Sequence, residues 1–492
     1  MPECPQCGRT VSAEGTLCDD CNQRAFAQRA EDVATADSQQ HFLITNILLG
    51  INVAVFALMA IKHVPLVSPT SDQIVRWGGN FGPLTLGGQS WRLLTNVFLH
   101  IGFPHLLANM WALVILGRLA ESLYGHTTFL ATYLLAGITG SLASLLWNPM
   151  TVSAGASGAL FGLVGALIAT LYVGKLPLPK HVVRPVLVSL VFWAIFSFGY
   201  GFWKPGVDNA AHVGGFIAGL LVGFALGHHL GTSSNARDYR QRVFIAALVL
   251  LAALSFITWR TKSYVVYVEQ ARVLLGSNKT DDAIKLLVST LQRQPNQTDL
   301  HLLLGGAYLR KKDLPSAERE FKRITEIKPQ DNLAWHNLAE LYVLQKRFAD
   351  AAAAFTKAAE LGKDNGLSWY NAGLMYRQLD RQQEAVAAFQ NSVTKNPYFA
   401  DAWFNLGISF MNLKQPVQAV QALQKATSIQ PNNADAHLWL GNALMAAGQE
   451  KAAQPEFLRA FQLRALQQKA LQEAQRRALQ DQQQKQKALE KK

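Results

Sequence analysis

The stretch SLYGHTTFLATYLLAGITGSLASLLWNPMTVSAGASGALFGLVGALIATLYVG, residues 122–174, contains no Asp, Glu, Lys or Arg. A helix facing water carries a charged face, so an uncharged run of this length belongs in lipid. Asn148-Pro149 divides it, because proline ends a helix and opens a turn. Working outward, the same texture extends from Phe42 to Trp259, which hold 15 charged residues between them, while the whole chain is 16% charged with a mean hydropathy of +0.09. Seven apolar segments are expected, approximately over residues 42–61, 97–117, 127–147, 155–173, 184–203, 209–230 and 243–259. Most reach the 17 to 25 residues that a bilayer helix requires. Arg118, Lys175, Lys180, Arg184, Arg237, Arg240 and Arg242 fall in connections on one side, which the N-terminus shares. That bias predicts a cytoplasmic N-terminus, and an odd number of spans then places everything after Trp259 outside.

The net charge of +13 forms no single patch interleaved with stacking aromatics, which excludes a nucleic-acid groove. The chain has four cysteines, all within its first 21 residues, so no disulfide framework staples the rest. They form two Cys-x-x-Cys pairs, Cys4 with Cys7 and Cys18 with Cys21, a spacing that closes a tetrahedral thiolate site for structural zinc. Residues 1–26 are too few to bury a core, so the metal would supply the folding energy of a small zinc ribbon. A linker is expected over 27–41.

After the spans the sequence repeats. Pro295, Pro329, Pro397 and Pro431 keep steps of 34 or 68, and Ala283, Ala317, Ala351, Ala385, Ala419 and Ala453 lie 34 apart. Trp335, Trp369 and Trp403 hold the same step. The pattern resembles the tetratricopeptide repeat, six copies over 264–465, which implies an α-solenoid with a concave surface for a peptide or protein partner. Asn337, Asn371 and Asn405 share one repeat position, suited either to pairing with an extended peptide or to bonds between hairpins. Residues 466–492 are expected to form a solvated terminal helix.

Ionisable and nucleophilic residues are costly within spans, so the few present are functional candidates. Span two opens with His100, His105 and Asn109, span four with Gly155-Ala156-Ser157-Gly158, and span six with Ala211-His212. Taken singly, each has a structural explanation in packing or at an interface. The neighbouring small residues change that: His212, Gly215, Gly219 and Gly223 share one helix face, and Gly158, Gly162 and Gly165 lie beside Ser157. Two such faces let backbones approach closely enough to bring hydroxyl and imidazole together.

In combination, Trp91-Arg92, His100 with His105 and Asn109, Gly117-Arg118 with Glu121, Gly155-Ala156-Ser157-Gly158 and Ala211-His212 with Gly215 resemble the rhomboid intramembrane serine proteases, over residues 42–260. The resemblance implies a six-span core, here with one extra span, that cleaves transmembrane segments of membrane proteins without a catalytic cofactor. It makes Ser157 the nucleophile and His212 its base. His105, Asn109 and the Ser157 N–H would form the oxyanion hole, with His100 and Gly155 in support. Phe161 would pack on the His212 ring, Gly215 and Gly219 would pack the helices, and Trp91, Arg92 and Glu121 would brace the loop and helix junction. Asp208 is expected to cap span six, leaving a Ser-His dyad. The competing reading is a catalytically silent membrane scaffold that recognises helices and recruits partners through its repeats. The expected location is a bacterial cytoplasmic membrane.

Overall fold

The computed structural model describes Glu3, Cys4, Cys7, Arg9, Thr10 and Cys21, then residues 42–173, 180–204, 206–227, 236–362 and 365–489. The described residues are predominantly helical, with two isolated β-bridges and no strand. The expected linker and Cys18 lie outside them. The chain divides into two units, Met1–Glu269 and Gln270–Lys492.

The first unit contains the apolar helices α1 (Leu43–Ile61), α2 (Phe103–Tyr124), α3 (His126–Trp147), α4 (Ser157–Val173), α5 (Lys180–Trp203), α6 (Asn209–Gly227) and α7 (Ala236–Lys262). Six of these are long and apolar enough to cross a membrane, and α4, at 17 residues, is shorter. Two boundaries differ from expectation. His100 lies ahead of α2, because Gly102 at φ +94° and Pro104 at the first turn start the helix at Phe103. Gly155 likewise lies ahead of α4, at φ +139°, where a side chain would be strained.

Helix α4 is the hub, buried along almost its whole length among α2, α3, α5 and α6. At its far end the Tyr124 hydroxyl donates to Thr170 Oγ1 (2.9 Å), which donates to the Gly223 carbonyl (3.0 Å). This chain pins the ends of α2, α4 and α6 at one level. At 1.5 Å per residue α2 is about 33 Å long and α4 about 25 Å, so the shortfall of roughly 8 Å falls at the end where α4 begins with Ser157. Helix α7 packs Val243, Phe244, Ala247 and Leu251 across Leu135 of α3 and Val222 and Leu226 of α6.

Between α1 and α2 a long segment folds into short helices, Ser71–Arg76, Gly82–Thr85 and Arg92–Thr95. The buried Arg92 guanidinium ties it together, donating to the carbonyls of Val75 (2.6 Å) and Gly79 (3.0 Å) and lying over the Trp91 ring. At the opposite ends of the helices, Glu121 accepts from the backbone N–H groups of Ile44 (2.8 Å) and Thr45 (2.9 Å). A carboxylate from α2 thereby caps the start of α1, where orphan donors and the helix dipole favour negative charge.

The second unit is built from helix pairs. Thr280–Arg293 follows Tyr264–Gly276, and the pairs Thr298–Arg310 with Leu314–Ile327, Asn332–Leu344 with Phe348–Glu360, Leu367–Gln378 with Gln382–Lys395, Ala400–Asn412 with Pro416–Ile429, and Ala434–Ala446 with Glu450–Leu489 continue the series. The terminal helix is therefore continuous with the last repeat, and its side chains are exposed beyond Arg464 wherever they are described. Asn278, Lys312, Lys346, Asp380, Lys414 and Gly448, each 34 residues after the last, all adopt positive φ and close the first helix of a pair. At Lys346 the N–H bonds to Val343 O and the next N–H to Tyr342 O, a motif in which glycine is the favoured residue. Lys346→Gly is expected to stabilise the repeats by up to about 1 kcal/mol, because a left-handed non-glycine residue is strained by roughly that much. A denaturant midpoint for the full chain that stays the same or falls would count against this.

At the tryptophan position of the repeat, His301 and His437 stand in place of Trp335 and Trp403. All four rings reach the carbonyl of the proline six residues earlier, at 2.9–3.0 Å. His301 also pairs with Glu320 (2.7 Å) and His437 with Glu456. Burial alone pulls the His301 imidazole down, but its bonds to Glu320 and the Pro295 carbonyl outweigh this and hold it above its ordinary value.

Candidate active site

The site is assembled where α4 and α6 touch. A Cβ built on Gly215 would stand 2.0 Å from the Gly158 carbonyl oxygen, on Gly219 1.8 Å from that of Gly162, and on Gly223 2.3 Å from that of Ala166. These are three rungs of one zipper, each four residues on from the last, and any side chain would force the helices apart. Gly165 approaches α6 from the other partner, where a Cβ would stand 2.3 Å from the Phe216 carbonyl oxygen. The third rung falls on the backbone of Ala166.

Directly above the zipper, Ser157 Oγ and His212 Nε2 lie 2.9 Å apart. The His212 ring stacks on Phe161, with centroids 4.3 Å apart and planes at 18°. Phe161 is held from behind by Trp193 and Phe198 of α5. Ser157 is the first residue of α4, so its N–H belongs to the donors that a helix start leaves unpaired.

His105 approaches from α2. Its Nδ1 accepts from the Ile101 N–H (3.3 Å), which leaves the proton on Nε2. The edge carrying Nε2 rests on Gly155, where a Cβ would meet ring atoms at 2.7 and 3.1 Å, so only glycine admits the imidazole here. Asn109 uses one amide hydrogen on the His105 carbonyl (2.8 Å), and its second is not used in that bond. His100 is completely buried against His105, with ring centroids 5.2 Å apart. Ser157, His212, His105, Asn109, His100, Gly155 and Phe161 thus gather at one end of the bundle. Gly215 and Gly219 lie below in the zipper, whereas Trp91, Arg92 and Glu121 contact other parts of the scaffold.

Sequence reasoning missed what holds the Gly155 segment. Gly155 N–H donates to the Asn96 carbonyl (2.9 Å), and Asn96 Nδ2 donates to Ser141 Oγ (2.9 Å). Asn80 pairs with Ser153 through two backbone bonds and donates its side-chain amide to the Ser141 carbonyl (2.9 Å). The loop before the serine is therefore stitched to α3 and to the segment ahead of α2 by two buried asparagines. Asp208 Oδ1 accepts from the Ala211 N–H (3.0 Å), the bond of a helix cap. The thiol sulfurs of Cys4, Cys7 and Cys21 lie within 4.8 Å of one another.

The Rhomboid domain family matches residues 87–229, which contain every residue gathered around Ser157. Tetratricopeptide repeat families match residues 274–342, 336–400 and 400–433. The chain carries a rhomboid domain and tetratricopeptide repeats. Among curated proteins it is similar to "Rhomboid protease GluP" of Bacillus subtilis (strain 168), 32% identical over 302 residues that cover 61% of this chain and 57% of that protein. It is also similar to "RHOMBOID-like protein 4" of Arabidopsis thaliana, 37% identical over 172 residues that cover 35% of this chain and 43% of that protein. The chain therefore spans about half the length of these relatives. Among solved structures, the crystal structure of YrrB, described as a TPR protein with an unusual peptide-binding site, matches 38% of this chain and 97% of its own at 18% identity, with a TM-score of 0.33.

Asn405, expected at the concave surface or between hairpins, accepts from Arg377 and donates to the Asp401 carbonyl (2.8 Å), with the Tyr370 hydroxyl 3.5 Å away. It thus works between neighbouring hairpins.

Proposed function

We propose that this chain is an intramembrane serine endopeptidase acting on transmembrane segments of membrane proteins. The observation that carries the proposal is the 2.9 Å contact between Ser157 Oγ and His212 Nε2 inside a bundle of apolar helices. In this reading His212 Nε2 takes the Ser157 proton as Oγ attacks a peptide carbonyl carbon. The developing oxyanion is met by Nε2–H of His105, the free amide hydrogen of Asn109 and the Ser157 N–H, whose helix start also favours negative charge. His212 returns its proton to the leaving amine. Water, deprotonated by the same imidazole, then releases the acyl-enzyme. A fluorophosphonate or isocoumarin probe should label Ser157 of the native chain, and a native chain that resists both would reject the proposal.

The repeats, in this reading, recruit a peptide or protein partner, and the domain sits in a bacterial cytoplasmic membrane with its N-terminus inside and the repeats outside. A cysteine placed at Asn371 should react with an impermeant maleimide in intact cells. Protection until lysis would reverse the assignment.

The N-terminal cysteines suit structural zinc. Three thiol sulfurs within 4.8 Å of one another form a soft donor set of the right size, and Cys18 is the proposed fourth ligand. Elemental analysis of the purified chain should find one zinc, lost in Cys4→Ser. A metal-free preparation with the same protease resistance at its N-terminus would remove the ion from the fold.

A further inference from the structure

Three polar atoms at the entry of α6 are buried and make no hydrogen bond among the described residues: Asp208 Oδ2, Asn209 Oδ1 and His212 Nδ1. Asp208 and Asn209 precede His212 by four and three residues, a spacing that puts all three on one face at the start of the helix. The other oxygen of Asp208 is committed to the Ala211 N–H, and the Asp208 carbonyl accepts the His212 N–H. Asn209 Oδ1 is pressed against Gly201 of α5, where a Cβ would stand only 2.1 Å away. Only 8% of His212 is exposed, so bulk water does not serve its Nδ1.

The valences of these atoms match. With Nε2 facing the Ser157 hydroxyl as acceptor, Nδ1 carries the ring proton and is a donor. Asp208 Oδ2 and Asn209 Oδ1 are acceptors. One water has two hydrogens for the two oxygens and a lone pair for Nδ1–H, and a buried water typically holds about three such bonds. We infer that a single buried water joins Asp208, Asn209 and the His212 Nδ1–H, making Asp208 a positioning residue for the imidazole. Stacking on Phe161 fixes the plane of the ring but not which nitrogen bears the proton. The water does that, holding the hydrogen on Nδ1 and leaving the Nε2 lone pair aimed at Ser157. The Ser-His pair thereby gains a third member through solvent instead of by direct contact. This inference rests on the protease reading above.

Asp208→Ser keeps a helix-capping oxygen and removes Oδ2, while Asp208→Asn keeps the cap and a second polar atom for the water. Both would be assayed as purified full chains against a transmembrane substrate, alongside the native chain. Asp208→Ser should lower kcat about tenfold with KM and melting temperature unchanged, and Asp208→Asn should recover to within about threefold of native, in line with the effects of second-layer partners of histidine. Native kcat in Asp208→Ser would leave Asp208 as a cap alone. Equal losses in both variants would overturn the water bridge in favour of direct charge if melting is unchanged, or of the cap if it falls. A native chain that neither labels nor cleaves is a separate result, which rejects the protease reading and this inference with it.

Discussion

Replacing Ser157 by alanine is expected to lower cleavage of a transmembrane substrate by roughly 10⁴-fold or more, the scale seen when a serine hydrolase loses its nucleophile. The fold should not notice. The hydroxyl makes one hydrogen bond, to His212, and its removal leaves a methyl group at the start of a helix. That loss is about 1 kcal/mol. Activity and stability therefore separate cleanly in this variant: the melting temperature stays near native while probe labelling disappears. Cleavage that persists in purified Ser157→Ala protein would assign the chemistry to another group.

The second large effect is expected at a residue that touches no reacting atom. In Gly219→Val the new Cβ would begin 1.8 Å from the Gly162 carbonyl oxygen, whereas non-bonded carbon contacts settle near about 3.5 Å. Both partners are helix backbone, so neither can swing aside, and α4 and α6 must separate by more than about 1 Å. Ser157 and His212 ride on those two helices just above the top rung, and their 2.9 Å contact has little slack before it ceases to be a hydrogen bond. A displacement of that size typically costs about 100-fold in rate. Gly219→Val should therefore label about 100-fold more slowly and, unlike Ser157→Ala, should also melt earlier. Native labelling in this variant would show that the zipper does not set the geometry of the site.

Much of this was legible before any coordinates, and the reasons are physical. Lipid imposes a composition on residues 42–259 that nothing else produces, and the 34-residue step of Ala283 through Ala453 survives because each hairpin buries the same face. The serine, the histidine and their glycines could be grouped because helical periodicity places them on known faces. What escaped lies where no period operates. The start of α2 depends on the φ of Gly102, which left His100 in a loop, and the anchors Asn80, Asn96 and Ser141 come from segments far apart in sequence. The third rung falls on the Ala166 backbone while Gly165 meets α6 at the Phe216 carbonyl, a register that the spacing of the glycines alone does not give. The histidines at 301 and 437 were invisible for a different reason: they keep the role of a tryptophan ring N–H while sharing none of its hydrophobicity.

The shortness of α4 has a meaning for substrate choice under the proposed reading. Because the helix is pinned at its far end to Tyr124 and Gly223, its missing turns set Ser157 at a fixed depth, like a blade recessed in a plane. A peptide bond reaches the hydroxyl only by descending to that level, and a helix can hand over a bond there only if it uncoils locally, since its carbonyls are otherwise occupied. Selection then acts on where a segment is weak along its length. Two unrelated substrates with their breaking point at the same depth would be cut alike, and one substrate shifted by a single turn, about 5.4 Å, would be spared.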